Sequence, residues 1–403
     1  MASVAPVRSQ TLPVGAVITA LTIASLFSGG IKVTLGFDLR LSYLFVILAL
    51  GAILLLTERP VLPVKPFAVL VAWLVFSCLA TLSVAPNLIF VATVPQVIGI
   101  GFFAGFFLIF FANARSDPVS LFEIYVHSAV VVALIGLPIL IWTGLSEDFW
   151  RLRSIFAEPA HYATAMIPAT AYALATARKA PSRAVILGGA MLLTVSLTGY
   201  IGIGLSLAFV VGRRWWTRLL LAIFGGLLLL AAYAASPEIR MRIDDTARVA
   251  ATADLAGANL STFALLSNLW VAWSAFTEQP MVGGGLGSHR FSHEKYIGNL
   301  TGLGVLEEYI DQNKQDANSL FARTLSEQGF IGIMLIFTFI WYFRTSYNPN
   351  HQVISSAILV YFILKLIRDG HYFTPEFFFM VVIFMMISNN YRLPDRLRQP
   401  GPE

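Results

Sequence analysis

Cysteine is almost missing from this sequence, and charge is scarce. The single cysteine of the 403 residues, Cys78, lies inside an apolar run, which excludes an internal disulfide and leaves no thiolate cluster for a metal. Charged residues make up 12% of the chain, against about 25% in a soluble domain. Internal repeats of the kind that build many transporters are not visible. The run Gly283-Gly284-Gly285-Leu286-Gly287-Ser288 lacks the Gly-Lys-Ser/Thr of a nucleotide phosphate loop, and a helical pattern rather than a strand precedes it. What the chain has instead is hydrophobicity, with 57% apolar residues and a mean hydropathy of +0.75. The composition is that of an all-α polytopic integral membrane protein. The net charge of +5 and pI near 9.3 then reflect cations in cytoplasmic connectors and call for no nucleic acid.

Apolar runs long enough to cross the bilayer hydrocarbon number about twelve, from residues 13–30 to 375–388. Three regions follow: a transmembrane bundle over 1–235, a large polar loop over 236–327, and a C-terminal transmembrane part with its tail over 328–403. Twelve crossings put both termini on one side. Arg8, Arg59, Lys65, Arg115, Arg178, Lys179, Arg183, Arg213, Arg214, Arg218, Arg344, Arg392, Arg396 and Arg398 then fall inside. Lys32, Arg40, Arg151, Arg153 and Arg368 fall outside. That bias places the termini in the cytoplasm and the polar loop in the periplasm. Runs 184–197 and 200–212 are short and are interrupted at Thr198-Gly199-Tyr200. A turn there leaves Ser196, Thr198 and Tyr200 to line a wet pocket, or else two short tilted helices cross a thinned bilayer.

The polar segment Ser236–Gln328 organises the rest. Phe263, Leu266, Leu269, Trp270, Trp273 and Phe276 recur at three- and four-residue spacing and predict an amphipathic helix lying against the outer leaflet. The glycine run after it reads either as a turn or as a backbone that a ligand can approach closely. Arg151 and Arg153 are suited to bidentate phosphate binding, with Glu158 as a base or as the partner of Arg153. His161 completes that charged mouth. His289, Arg290 and His293 form a second group. The two histidines stand four apart, but no third ligand has the spacing to complete a metal site. Arg323 and Glu327 are spaced to pair with each other. Arg368 and His371 lie in the last outer loop, where Arg368 reads equally as a helix cap.

Several of these segments resemble one family. Arg153-Ser154-Ile155-Phe156-Ala157-Glu158-Pro159-Ala160-His161-Tyr162-Ala163 resembles the arginine…glutamate-proline segment of bacterial O-antigen and exopolysaccharide polymerases (Wzy-type). Ser196-Leu197-Thr198-Gly199-Tyr200 is similar to the short turn that follows it there. Trp270, Phe276, Pro280, Gly283, Gly285 and Gly287 match a loop signature of the O-antigen polymerase and ligase superfamily, and Asn318-Ser319-Leu320 with Glu327, Gly329 and Gly332 its return to the membrane. The resemblance implies a C-type glycosyltransferase-like fold in the bacterial inner membrane and a metal-independent enzyme with no cofactor. Its substrates would be undecaprenyl-pyrophosphate-linked oligosaccharides, with the bilayer and a chain-length regulator as further partners. It implies Arg153 and Arg290 on the pyrophosphate, and a base among Glu158, His293 and Asp316. Arg151, His161, Tyr200, His289, Asp316, Arg323, Arg368 and His371 would contact substrate. Ligases of the superfamily carry a histidine just before the Asn of that return segment, where this chain has Ala317. The departure favours a polymerase over a ligase. A transporter or flippase of a lipid-linked or anionic solute is the reading from another class.

Overall fold

The computed structural model of the chain describes residues 14–34, 38–114, 117–147, 149–212, 215–252, 254–255, 257–300, 307–345 and 348–391. Among these residues the only sheet is a hairpin of β1 (Lys32–Thr34) and β2 (Asp38–Arg40), with Lys32 opposite Arg40. The first helices are α1 (Val14–Phe27), α2 (Leu41–Leu56), α3 (Val64–Val84), α4 (Val94–Asn113) and α5 (Pro118–Glu147). They are followed by α6 (Pro159–Ala175), α7 (Pro181–Leu193), α8 (Leu197–Ser206) and α9 (Trp215–Ala235). The polar segment folds into α10 (Pro237–Thr252), α11 (Leu260–Glu278), α12 (His289–Tyr296) and the single turn α13 (Glu307–Ile310). The chain closes with α14 (Leu320–Phe343), α15 (Pro349–Arg368) and α16 (Pro375–Met386).

The expectation of about twelve membrane crossings is corrected. Among the described residues, six helical stretches have the length and composition to cross: Val64–Val84, Pro86–Asn113, Pro118–Glu147, Trp215–Ala235, Leu320–Phe343 and Pro349–Arg368. The apolar helices Val14–Gly30, Leu41–Leu56, Pro181–Leu193, Leu197–Val211 and Pro375–Met386 are shorter. At the helical rise even the longest of them reaches only about 25 Å, short of the roughly 30 Å hydrocarbon core. These helices match the apolar runs of the sequence to within a few residues, so the runs themselves were short of a full crossing. The orientation argued from loop cations rested on that count. Of those cations, Arg8, Arg115, Arg213, Arg214, Arg392, Arg396 and Arg398 lie outside the described residues.

Two helices at the centre position the site. In α6, Ala163, Ala165, Ala169, Ala171 and Ala173 are buried, and in α15 Ile354, Ala357, Ile358, Val360 and Tyr361. Lipid offers no hydrophobic drive between apolar helices, so small side chains that permit close contact do this work. Gly202 of α8 belongs to the same packing, since a Cβ there would stand 2.6 Å from Ile167 of α6. Aromatic contacts tie α16 to the rest, with Phe379 packing 6.1 Å from Phe107 and 5.9 Å from Tyr125. The start of α6 and the end of α15 meet at one end of the bundle, where the His161 and His371 rings lie 6.2 Å apart. By contrast, none of the apolar window of α9 is buried.

Two local readings shift. The break between α7 and α8 falls at Thr194-Val195-Ser196, and Thr198, Gly199 and Tyr200 form the first turn of α8. On α11 the buried face is Thr262, Phe263, Ala264, Ser267, Asn268, Val271, Ala272 and Ala275. Of the predicted apolar face, Leu269 and Trp273 are exposed. Small and polar residues gave that buried face no hydrophobic signal.

Candidate functional site

A loop pinned at both ends carries the first charged group. After α5, Leu152 is fully buried and its N–H donates to the Leu193 carbonyl at 2.9 Å, while the Ser154 hydroxyl donates to the Val132 carbonyl at 2.9 Å. Ser154 and Val195 hold φ of 49° and 45°. A β-branched residue at positive φ is a true outlier, of the kind that clusters at functional sites. The loop sets Arg151 against the α7–α8 turn, its Nε donating to the Thr194 carbonyl at 3.4 Å and its Nη1 standing 3.8 Å from Glu238. Burial lowers the Arg151 pKa and the Arg242 charge lowers it further, against the opposing pull of Glu238, Glu158 and Tyr200.

Arg242, on α10, is the centre of this group. It acts electrostatically on both Arg151 and Arg368, and Glu158 does so with the opposite sign. Arg368, at the end of α15, donates to the Ser261 hydroxyl at 3.2 Å and to its carbonyl at 3.4 Å. Arg242 is thus within electrostatic reach of guanidiniums from two other elements, with the exposed carboxylates of Glu158 and Glu238 beside them. The like charge of Arg242 on Arg151 and Arg368 is opposed by Glu238, Glu158 and Asp316, and a bound anion would oppose it further. Glu158 itself is the N-cap of α6 with Pro159 at the first helical position, yet its side chain makes no cap hydrogen bond. A cavity of about 560 Å³ opens beside the cluster, lined by Arg242, Asp245, Asn259, Ser261, Phe263 and Tyr309 among others.

Next to the arginines stands a histidine–carboxylate pair. His371 Nε2 lies 2.8 Å from Asp316 Oδ2, and the His371 N–H donates to Asp369 Oδ1 at 3.0 Å. Asn313 and the Asn318 N–H, each at 3.1 Å, hold the other Asp316 oxygen. Burial alone would raise the Asp316 pKa. The His371 bond and charge, the Asn318 N–H and the Arg323 charge together hold it well below the usual carboxylate range. In the neutral tautomer that this bond to Asp316 favours, Nε2 carries the proton and Nδ1 can accept one. Among the described residues no hydrogen bond engages Nδ1, and the side chain is 32% exposed. The backbone is built for this contact, since a Cβ at Gly370 would lie 1.5 Å from the Asp316 carbonyl oxygen. Asp369, in turn, holds the buried Lys365 ammonium at 2.8 Å. Burial would raise the Asp369 carboxyl, but Lys365, His371 and His161 hold it below its ordinary value.

Beneath lies a closed polar network. Arg323 donates to Glu327 at 3.0 Å, to the Gly370 carbonyl at 2.9 Å and to Gln96 at 3.0 Å, and sits 4.1 Å from the Tyr372 ring centre. The expected Arg323–Glu327 pairing is therefore present and buried, and the guanidinium has a full set of protein partners. His289 bonds Ser326 at 2.8 Å and Asn268 at 3.0 Å. Burial first, then the Arg323 charge, pushes its pKa down to about 3, so it is neutral. His293 is also buried, and neither ring nitrogen has a hydrogen-bond partner among the described residues. Burial lowers its pKa too.

The glycine run acts as a fastener. Gly284 and Gly285 N–H groups donate to the Ser326 and Glu327 carbonyls at 2.9 Å, at the point where Gly329 breaks α14 with φ 58°. A Cβ at Gly283 would lie 2.5 Å from the Glu327 backbone carbon. The close approach expected of a ligand is taken by the protein's own backbone.

Of the residues singled out in the sequence, Arg151, Glu158, His161, Asp316, Arg368 and His371 thus gather at one mouth, with Tyr200 within electrostatic reach of Arg151. Arg153 and Arg290 have separate partners. Arg153 lies 3.8 Å from Glu147 and above the Phe149 ring, whereas Arg290 lies 3.8 Å from Glu294 and above Phe291. Sequence reasoning passed over Arg242, Lys365 and Asp369 as site residues. A lysine within an apolar span was a usable signal for Lys365. Arg242 had none beyond its place in a polar segment. Among the described residues no group of three His, Cys, Asp or Glu side chains is arranged to hold a metal. No protein-family model matches the chain, and no curated protein matches it.

Proposed function

We propose that the protein is a glycosyltransferase of the inner membrane that polymerises polyprenyl-pyrophosphate-linked oligosaccharides into a surface polysaccharide. One observation carries this reading: Arg242 lines a cavity within electrostatic reach of Arg151 and Arg368, and Arg368 is within reach of the Asp316 that pairs with His371. Guanidiniums bind pyrophosphate oxygens through paired N–H groups and stay charged throughout. In the reaction the acceptor hydroxyl oxygen forms a bond to the anomeric carbon of the donor. The bond from that carbon to the pyrophosphate oxygen breaks, and its electron pair leaves with the pyrophosphate. The three arginines stabilise that developing charge, the largest single contribution such a site can make. His371 Nδ1 takes the hydroxyl proton, and Asp316 orients the ring and stabilises the imidazolium. The cavity beside Arg242 holds acceptor sugar, with Tyr309 and Phe263 as apolar surfaces and Asp245 and Asn259 as polar ones. Both termini are cytoplasmic in this reading, and the site faces the periplasm.

A ligase is the second reading, favoured by His371. The histidine absent from position 317 in the chain is supplied in space from the loop after α15, against Asp316. Purified protein given host lipid-linked oligosaccharide in EDTA separates the two. A polymerase yields a ladder of lengthening glycans, which Arg242→Gln reduces by roughly 100-fold or more. Transfer to an added lipid A–core acceptor with no ladder would make it a ligase, and neither product from folded protein would discard both.

A further inference from the structure

The opposite end of the bundle holds a second basic cavity. Arg344 follows α14 directly, and Arg323 lies in the first turn of that helix. The two lie on either side of the break at Gly329, and the unbroken part of α14 beyond it, residues 330–343, alone rises about 20 Å. The π-helical turn Leu207–Val211 after α8, the start of α9, the end of α14 and the start of α15 enclose a cavity of about 390 Å³ there. Its walls carry Arg218 and Arg344 together with the hydroxyl of Ser356 and the amide of Gln352, and among the described residues no carboxylate lines it. Arg218 is anchored by its Nε, which donates to the Gly212 carbonyl at 2.9 Å, so its position is set while its terminal nitrogens remain to bind. Among the described residues neither arginine forms an ion pair with a carboxylate. Phe209 and Leu359 give the same cavity an apolar side.

We propose that this cavity binds a phosphate group carried by an anionic membrane lipid, with Arg218 and Arg344 on the phosphate oxygens and the apolar wall against an acyl chain. Two cations facing one cavity without a counter-ion repel each other, and a phosphate between them removes that repulsion while using both guanidinium forks. A basic pocket between helix ends, at the opposite end of α15 from the other polar face, is the setting in which anionic headgroups bind. The proposal is independent of the reaction at the other face, because the two cavities share no residue.

Native mass spectrometry of the delipidated full-length protein in detergent tests it, with phosphatidylglycerol, phosphatidylcholine and inorganic phosphate as separate probes. The expected result is one phosphatidylglycerol bound at least tenfold more tightly than phosphatidylcholine. That preference is lost in Arg218→Gln/Arg344→Gln and kept in Lys295→Gln, a change at an exposed ion pair. Arg344→Glu alone, outside any helix, covers the case in which the double variant fails to fold, and it also weakens binding tenfold or more. Saturable binding of inorganic phosphate that depends on both arginines, with no lipid bound, would overturn the lipid source. Equal phosphatidylglycerol affinity in wild type and in folded variants would overturn the site itself.

Discussion

At the scale of single residues, the site sets groups that must stay charged above a histidine that burial holds neutral. His289 is the neutral one, buried under the arginine layer with both ring nitrogens bonded. Its pKa in the folded protein is about 3, below the ordinary histidine value of about 6.5. The unfolded chain therefore binds a proton that the folded protein rejects. Stability from this residue is complete above about pH 6.5 and falls as pH drops toward 3, on the order of 1 kcal/mol per pH unit. Melting temperatures in detergent between pH 7 and pH 4.5 should show this slope, and His289→Asn should flatten it. An unchanged slope in the variant would assign the acid sensitivity elsewhere. The residue types at the mouth were legible in the sequence, because charge beside apolar spans is expensive and stands out. Which of them meet was not legible. Arg151, Arg242 and Arg368 come from three segments far apart in the chain, and no local pattern encodes their convergence. Of the two arginines expected on the pyrophosphate, Arg153 shares the Phe149 ring with Arg151, whereas Arg290 lies near Glu294 on α12.

At the scale of elements, helices were easy to read and their lengths were not. Hydropathy marks an apolar run whatever its length, so six helices, α6 and the five shorter apolar ones, were read as full crossings. The break between α7 and α8 was foreseen, but Thr198-Gly199-Tyr200 suggested a turn where the helix already runs, because Gly199 serves packing and not chain reversal. The buried face of α11 stayed hidden because alanine, serine and asparagine carry no hydrophobic stripe. The glycine run was visible, and its use became clear only against the break in α14. There Gly283 has φ 64° and no room for a side chain. Gly283→Ala should destabilise the fold by roughly 2–4 kcal/mol through backbone strain and overlap. Gly284→Ala, whose one tight contact is the Ser288 side chain, should cost less. Thermal scans by size-exclusion chromatography would rank the two, and equal melting points would show that the run is not a fastener.

At the scale of the whole molecule, a compact helical core presents a layered polar site at one end and a basic cavity at the other. Membrane character followed from composition alone, since 12% charge cannot clothe a soluble protein of this length. The site is assembled where the central helices α6 and α15 meet the helices of the polar segment, which explains why a mainly apolar chain keeps that segment. The central claim is that a lipid pyrophosphate binds at Arg151, Arg242 and Arg368. Photo-crosslinking tests it most directly, using a polyprenyl-pyrophosphate oligosaccharide with a diazirine beside the pyrophosphate, followed by peptide mapping. Labelled peptides should come from the 149–161 loop, from α10 around Arg242 and from the end of α15, with labelling suppressed by Arg242→Gln. Label confined to α12 around Arg290, and unchanged by Arg242→Gln, would contradict the account.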